Sequence, residues 1–569
     1  MRFTYTILFV GIVLTALFGL LGWRVYDLQG PQSRQYRQEN QAQQSALVKQ
    51  QGQRGFVVDC RGRVLAASNE IDEVFIEPRR LAETDDFKET SDRLKTVLNY
   101  PGLQICRMVS ESKNPGFVRI CSQITPLQRQ AVAEAKIPGV GVQTVWQRYY
   151  PMGRLTSHIV GFVGTDGQGL SGLELRYDSA LAGQAGRQVY QVDVLRRPIG
   201  YRPDLAIAST DGQSIILTID TTIQQFTRSA LLKQTQDFQA ESAVAIVMDP
   251  KTGAIAAMVS LPDYDPDDFS KTPPDNLKNC VLADPYEPGS IIKPIVAAIA
   301  LDNGAVGFDE VFDCEDGYWG KYRIGEFGSH RYGLLSVRNI LVNSSNIGMA
   351  KIGIKLGQKR LYEGMKLFGF GTKTGADLPG EDSGLLWPVS KWSGYSVTRI
   401  PFGHEVLATS LQMIRAYCIL ANGGSSVTPH IVKAVVDSEG GVCRLREGAG
   451  GTGYIIKPEV AHWIVQNALV GVVNEGTGDQ AKLENCQVWG KTGTANIALS
   501  SGGYDTTNYV SSFIGGAPAE NPKLVVLVSI RKPKKSLGKG YSGGRVAAPV
   551  AREILEKTLN YLSQTQPET

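Results

Sequence analysis

The clearest hydropathy signal lies at the N-terminus. Tyr5 to Trp23 (YTILFVGIVLTALFGLLGW) carries no charge over nineteen residues, long enough as a helix to cross a hydrocarbon core of about 30 Å. Arg2 precedes the run, Arg24 follows it, and no small-x-small cleavage site precedes Trp23. The pattern therefore predicts an uncleaved anchor over residues 1–28 rather than a signal peptide. It predicts a single-pass protein with the bulk of the chain outside the cytoplasm. Residues 29–53 are polar and Gln-rich and read as a stalk.

Beyond the stalk the patterning becomes that of a folded chain. Alternation around Asp59-x-x-Gly62 predicts a strand, a tight turn and a strand. A helix is expected at 127–135. Glycines at irregular spacing from Gly153 to Gly183 imply turns and close backbone approach. Within that passage, Arg148 and Glu174 suit a structural ion pair, and His158 suits a hydrogen bond to a neighbouring loop. A second domain is expected from Gln213. It opens with a strand at 214–219, a helix at 223–233 begun by Asp220, and a hairpin of strands 243–248 and 254–259. Helices follow at 337–356, 358–368, 407–422 and 459–474, then strands at 488–494, 510–517 and 523–531, and a last helix at 546–561. Strands at both ends with helices between predict an α+β domain, an antiparallel sheet covered by helices. The domains are thus 1–28, 29–212 and 213–561, with a polar tail at 562–569.

Composition narrows the function. A chain of 569 residues with 42% hydrophobic and 20% charged residues is an ordinary folded protein. A net charge of +4 gives no electrostatic footprint for nucleic acid. Neither a metal nor a cofactor is expected: no paired-cysteine zinc spacing and no phosphate-binding loop occur. Of eight cysteines, Cys106 and Cys121 flank a polar loop and are the best local pair for a disulfide. Free thiols account equally well for Cys280 and Cys418.

The candidate chemistry centres on Tyr286-Glu287-Pro288-Gly289-Ser290-Ile291-Ile292-Lys293-Pro294. An apolar run to Leu301 predicts a central, buried helix opening at Ser290. Ser290 and Lys293 are its polar interruptions and share a face, as a nucleophile and its base would. The same spacing at Ser110/Lys113 and Ser536/Lys539 falls in polar loops and reads as accidental. Further on come Ser344-x-Asn346, in a helical connection, and Lys491-Thr492-Gly493-Thr494, in a strand. Lys-Thr-Gly also occurs at Lys251, in the hairpin turn, and at Lys373, in a loop.

Taken in order, Ser290/Lys293, Ser344/Asn346 and Lys491-Thr492-Gly493 resemble the penicillin-recognising serine acyl-enzymes. The blocks RGFVVDCRGRVLA, RYYPMGRLTSHIVGFVG, GLSGLELRYDSALAG, YEPGSIIKP, LPGE, ANGG and GKTGTA resemble class B penicillin-binding proteins, most of all the division-type transpeptidase. The resemblance implies an elongated pedestal (dimerisation-like) domain before the transpeptidase domain. It implies β-lactam-inhibited cross-linking of peptidoglycan stem peptides through a serine acyl-enzyme, in septal wall synthesis. Ser290 would be the nucleophile, Lys293 its base, Lys491 a cation and Ser344 a proton relay. Asn346, Thr492, Gly493 and Thr494 would bind substrate, and the Ser290 and Thr494 amides would face the oxyanion. The implied partners are the membrane, a membrane-embedded glycan polymerase and other divisome proteins. Alternatives are an elongation-type transpeptidase, a D,D-carboxypeptidase sharing every motif, and a non-catalytic β-lactam-binding scaffold. A hydrolytic β-lactamase would need Glu-x-x-Leu-Asn, and none follows Ser344. Two departures from the family pattern stand out: Cys60-Arg61, and His404-Glu405 where a small, Gly-containing turn is usual.

Overall fold

The structure, a computed structural model, describes residues 2–30, 45–82, 87–114, 116–193, 198–444, 450–498 and 503–565. The stalk reading over 31–44 and the end of the polar tail therefore lie outside the described residues. The N-terminal run forms the helix Arg2–Gln29, within which Phe3–Gln29 is long and apolar enough to cross a membrane.

Two compact units emerge. The first combines the residues up to Gln53 with Ala182–Gly212. Its sheet is antiparallel, with Gly186–Val192 between Ser45–Gln50 and Pro198–Tyr201. The second combines Arg54–Leu181 with Gln213–Thr569.

The larger unit is built on a five-stranded antiparallel sheet, in the order Ile255–Leu261, Ser242–Met248, Leu524–Arg531, Tyr504–Ala517, Trp489–Ala498. Two of its inner strands, Ser242–Met248 and Leu524–Arg531, are buried on both faces, which explains their nearly unbroken hydrophobic runs. Val526, Val528 and Ile530 pack on one side with Ile223, Leu231, Ile554 and Leu555, from the helices Thr221–Asp237 and Ala548–Thr565. Val525 and Leu527 face the other side, with the helices Lys293–Asp302 and Ser410–Ala421. Every residue from Lys293 to Leu301 is buried, as expected of a central helix.

Several elements differ from the sequence expectation. The strand Ser214–Leu217 is not in this sheet. It pairs antiparallel with Val432–Val436 and parallel with Val57–Val58, the strand of the Asp59–Gly62 turn. Periodicity identifies a strand but not its partner, and this pairing ties residues 54–181 to the larger unit. The helix expected at 337–356 is two, Val337–Val342 and Asn346–Leu356. Ser345 ends the continuity because its hydroxyl accepts from the Gly348 amide as an N-cap. The 459–474 helix carries a π-turn at Ile464–Leu469. The last helix runs on to Thr565, into the expected tail.

The Arg148–Glu174 pair forms as expected, at 2.7 Å, with Arg54 on the second carboxylate oxygen at 2.6 Å. His158 Nε2 lies 2.9 Å from the Asn276 carbonyl, a structural role. Cys106 and Cys121, the best local candidates for a disulfide, are free thiols; Cys106 lies 3.5 Å from the Ser91 hydroxyl.

Candidate active site

Ser290 does not open the α-helix directly. Gly289–Ile292 is a turn of 3-10 helix, and the α-helix starts at Lys293 with Pro294 in its first turn. There proline sacrifices no hydrogen bond. The turn is fixed on three sides. The buried Tyr417 hydroxyl donates to the Ile291 carbonyl at 2.7 Å. Tyr286 exchanges both backbone hydrogen bonds with Ala408, at 3.0 and 2.9 Å. Gly289 has φ +57°, and a Cβ there would sit 3.0 Å from the Ala495 Cβ, so only glycine lets the turn approach the sheet.

That approach joins the first and third motifs. Lys491, Gly493 and Ala495 share one face of the edge strand Trp489–Ala498. A Cβ on Gly493 would lie 2.9 Å from the Ile291 side chain, so the strand runs against the serine turn.

The second motif completes the cluster. Ser344 takes φ +60°, unusual for a residue with a side chain, and projects between the two lysines. Lys293 Nζ donates to the Ser344 carbonyl at 2.5 Å, to its hydroxyl at 3.2 Å and to Asn346 Oδ1 at 2.8 Å. Lys491 Nζ donates to the same hydroxyl at 2.9 Å and to the Thr492 carbonyl at 3.0 Å. Both lysines are 0% exposed. Burial holds Lys293 down to about 7, against an upward pull from the Glu326 carboxylate. Burial, then the charge of Lys293, holds Lys491 well below the ordinary lysine range. Two amines in one dry site cannot both carry a full charge at ordinary cost. One is thereby kept available as a base near neutral pH.

Asn346 is held on its other side by Nδ2 donating to the Gly325 carbonyl at 3.0 Å. Thr492 and Thr494 lie on the strand face opposite Lys491. The Thr492 hydroxyl meets that of Thr477 at 2.5 Å, and Thr494 Oγ1 accepts from the Gly543 amide at 3.0 Å, which leaves its O–H free to donate elsewhere.

Sequence reasoning missed Glu326. Its buried carboxylate accepts from the Ser345 hydroxyl at 2.5 Å and from the amides of Asn346 and Ile347 at 2.6 and 3.3 Å. It thus sits at the N-terminus of the helix Asn346–Leu356, where the macrodipole favours an anion, and pins the Ser344–Asn346 bend. Thr477 was missed as well. Neither residue stands in a recognisable motif, and no spacing announces them.

The family model for the penicillin-binding protein transpeptidase domain matches residues 243–556, and that for the penicillin-binding protein dimerisation domain matches 49–217. The chain belongs to the penicillin-binding protein transpeptidase family. Among similar penicillin-binding proteins, peptidoglycan D,D-transpeptidase FtsI of Escherichia coli is 30% identical over 569 residues, 98% of this chain and 91% of that one. Stage V sporulation protein D of Bacillus subtilis is 33% identical over 517 residues, covering 89% and 78%. Probable peptidoglycan D,D-transpeptidase PenA of Neisseria meningitidis is 32% identical over 529 residues, covering 91% and 86%. A solved structure of penicillin-binding protein 3 from Mycobacterium tuberculosis, complexed with aztreonam, superposes with a TM-score of 0.69 at 25% identity, covering 92% of this chain and 98% of that one.

Proposed function

We propose that this penicillin-binding protein is a peptidoglycan D,D-transpeptidase, and that Ser290 carries the acyl group. The observation that carries the reading is the Ser344 hydroxyl held within 3.2 Å of Lys293 and 2.9 Å of Lys491, beside the Ser290 turn. Lys293, with its proton affinity lowered by burial, takes the Ser290 proton as Oγ attacks the carbonyl of the penultimate D-Ala of a stem peptide. The Ser290 and Thr494 amides receive the oxyanion; one such donor is worth about 3 kcal/mol in the transition state. Ser344, between the amines, returns the proton to the departing D-Ala nitrogen. Lys491, Thr492 and Thr494 hold the terminal carboxylate, Asn346 holds the donor backbone, and Gly493 lets that backbone lie close to the strand. An amine of a second stem peptide then displaces Ser290. A β-lactam stalls the cycle at the ester.

The helix Phe3–Gln29 is assigned as the anchor, in the inner membrane, with the remainder outside the cytoplasm, where the substrate lies. The functional boundary between dimerisation and transpeptidase domains is placed near Gln213, just inside the end of the stretch 49–217 that the dimerisation-domain model matches. Likeness to FtsI along nearly the whole chain supports septal wall synthesis, alongside a membrane-embedded glycan polymerase and other divisome proteins.

The test uses the detergent-solubilised full chain, a synthetic stem peptide ending in D-Ala-D-Ala, and an amine acceptor. Release of D-Ala together with an acceptor-linked product, both lost in Ser290→Ala, is the expected result. D-Ala release with hydrolysis products alone would make the protein a carboxypeptidase.

A further inference from the structure

A second cluster of chemistry-bearing groups stands beside the serine turn and has no part in the mechanism above. Its centre is His404, on the loop after Gly403. That loop is locked to the turn. Gly403 has φ +94°, a Cβ there would sit 2.2 Å from the Gly289 carbonyl oxygen, and the Gly289 amide donates to the Gly403 carbonyl at 3.3 Å. The Glu405 amide donates to Glu287 Oε1 at 2.9 Å. His404 Nδ1 lies 2.7 Å from the Tyr504 hydroxyl and 3.3 Å from Glu287 Oε2. The Tyr504 hydroxyl donates to Glu287 Oε1 at 3.1 Å. Tyr504 pairs with Ala498 at the far end of the strand that carries Lys491. The imidazole therefore bridges two walls of the site, the segment before Ser290 and the hairpin after Lys491.

The hydrogen bonds fix the tautomer. Both neighbours of Nδ1 are acceptors: a carboxylate, and a phenol oxygen whose own proton goes to that carboxylate. Glu287 Oε2 is buried and has no hydrogen-bond partner, so its charge faces Nδ1 across the 3.3 Å contact alone. Nδ1 therefore carries the hydrogen and Nε2 keeps its lone pair. No described residue hydrogen-bonds Nε2, and the side chain is 28% exposed, against 10% for Glu287. An imidazole backed by a buried carboxylate, with its other nitrogen open, is built as a base. Its charged neighbours are Glu287 and, on its own loop, Glu405, which Arg399 meets at 3.3 Å; the Ser396 hydroxyl also donates to Glu405. Tyr504 stays neutral, because burial and the Glu287 charge push its hydroxyl up.

We propose that His404 Nε2 deprotonates the acceptor amine of the second stem peptide; the proposal rests on the transpeptidase reading. That reaction needs a second base. The acceptor arrives as an ammonium, since free amines have pKa values of about 8 to 10. Lys293 carries the proton that returns to Ser290 Oγ, so the first proton of the ammonium must leave to another group. The ammonium N–H bond breaks toward Nε2, leaving a neutral amine and an imidazolium. The amine lone pair forms the C–N bond at the acyl carbonyl, and the C–Oγ bond to Ser290 breaks. Oγ takes the amine's second proton by way of Lys293. Ester and ammonium become amide and hydroxyl, and the imidazolium releases one proton to water.

The experiment uses the full chain in detergent, a D-alanyl thioester donor and glycinamide as the acceptor. Aminolysis and hydrolysis products are measured from pH 6 to 9, beside the rate of labelling by a fluorescent penicillin. In His404→Gln the aminolysis-to-hydrolysis ratio at neutral pH is expected to fall about 100-fold, and its pH dependence to follow the acceptor's own titration. Tyr504→Phe, which removes one hydroxyl, is expected to lower the ratio by less. A ratio within twofold of the parent in His404→Gln overturns the proposal. So does an equal fall in penicillin labelling and aminolysis in both variants, which would make the loop a mere support for Ser290. A parent protein that takes no penicillin label at all overturns the transpeptidase reading itself.

Discussion

Lys293 and Lys491 share one acceptor, the hydroxyl of Ser344, at 3.2 and 2.9 Å. Two buried amines on one oxygen are a costly arrangement, because desolvation and mutual repulsion both oppose their charges. Its consequences are measurable.

The first is the pH dependence of acylation. With Lys293 held to about 7, the neutral amine proposed as the base accumulates as pH rises through that value. The second-order rate of acylation by a penicillin is expected to rise with pH and level off above about 8, as a single titration near 7 requires. Stopped-flow fluorescence between pH 5.5 and 9 measures it. A pH-independent rate would assign the base elsewhere.

The second is stability. Both lysines have depressed folded-state values, so the unfolded chain binds more protons between pH 7 and the ordinary lysine value of about 10.4. Stability contributed by these sites must therefore increase with pH across that window. Lys293→Met is expected to flatten the rise of Tm between pH 7 and 9 without abolishing it, since Lys491 contributes in the same direction. Scanning calorimetry of the two proteins makes the comparison.

Glu326 pulls Lys293 upward and pins the Ser344–Asn346 bend. Glu326→Gln is expected to move the acid limb of the acylation profile to lower pH. It should also cost about 1–3 kcal/mol of stability, for charge-assisted hydrogen bonds lost at a helix N-terminus. The same profile, with a urea titration beside it, tests both.

Glu174 carries two arginines on one fully buried carboxylate. Glu174→Ala leaves both guanidinium groups short of their counter-charge, and a loss of about 3–5 kcal/mol is expected. Thermal unfolding reads it. A change under 1 kcal/mol would mean that Asp178, which pairs with Arg54 at 2.7 Å, carries the load.

The three motif segments, the anchor and the central helix were legible because each rests on local chemistry. A charge-free run, an apolar helix with two polar breaks and a Gly-bearing strand are all visible within a few residues. What escaped depends on distant partners. The Ser214–Leu217 strand looks like any other strand until Val57 and Val432 are seen beside it. Ser344 belongs to an expected continuous helix until Ser345 and Glu326 stop it. Glu326 lies twenty residues before Asn346 in the chain, in a loop that gives no periodic signal. His404-Glu405 was visible as a departure from the family pattern, but Tyr504, its partner across the site, was not.

The most direct test of the account is to acylate the protein with a penicillin and locate the adduct by peptide mass spectrometry. The account predicts one added penicilloyl mass, on the peptide that contains Ser290, and none in Ser290→Ala. An adduct on any other residue of the parent, or an adduct of equal yield in Ser290→Ala, would contradict it.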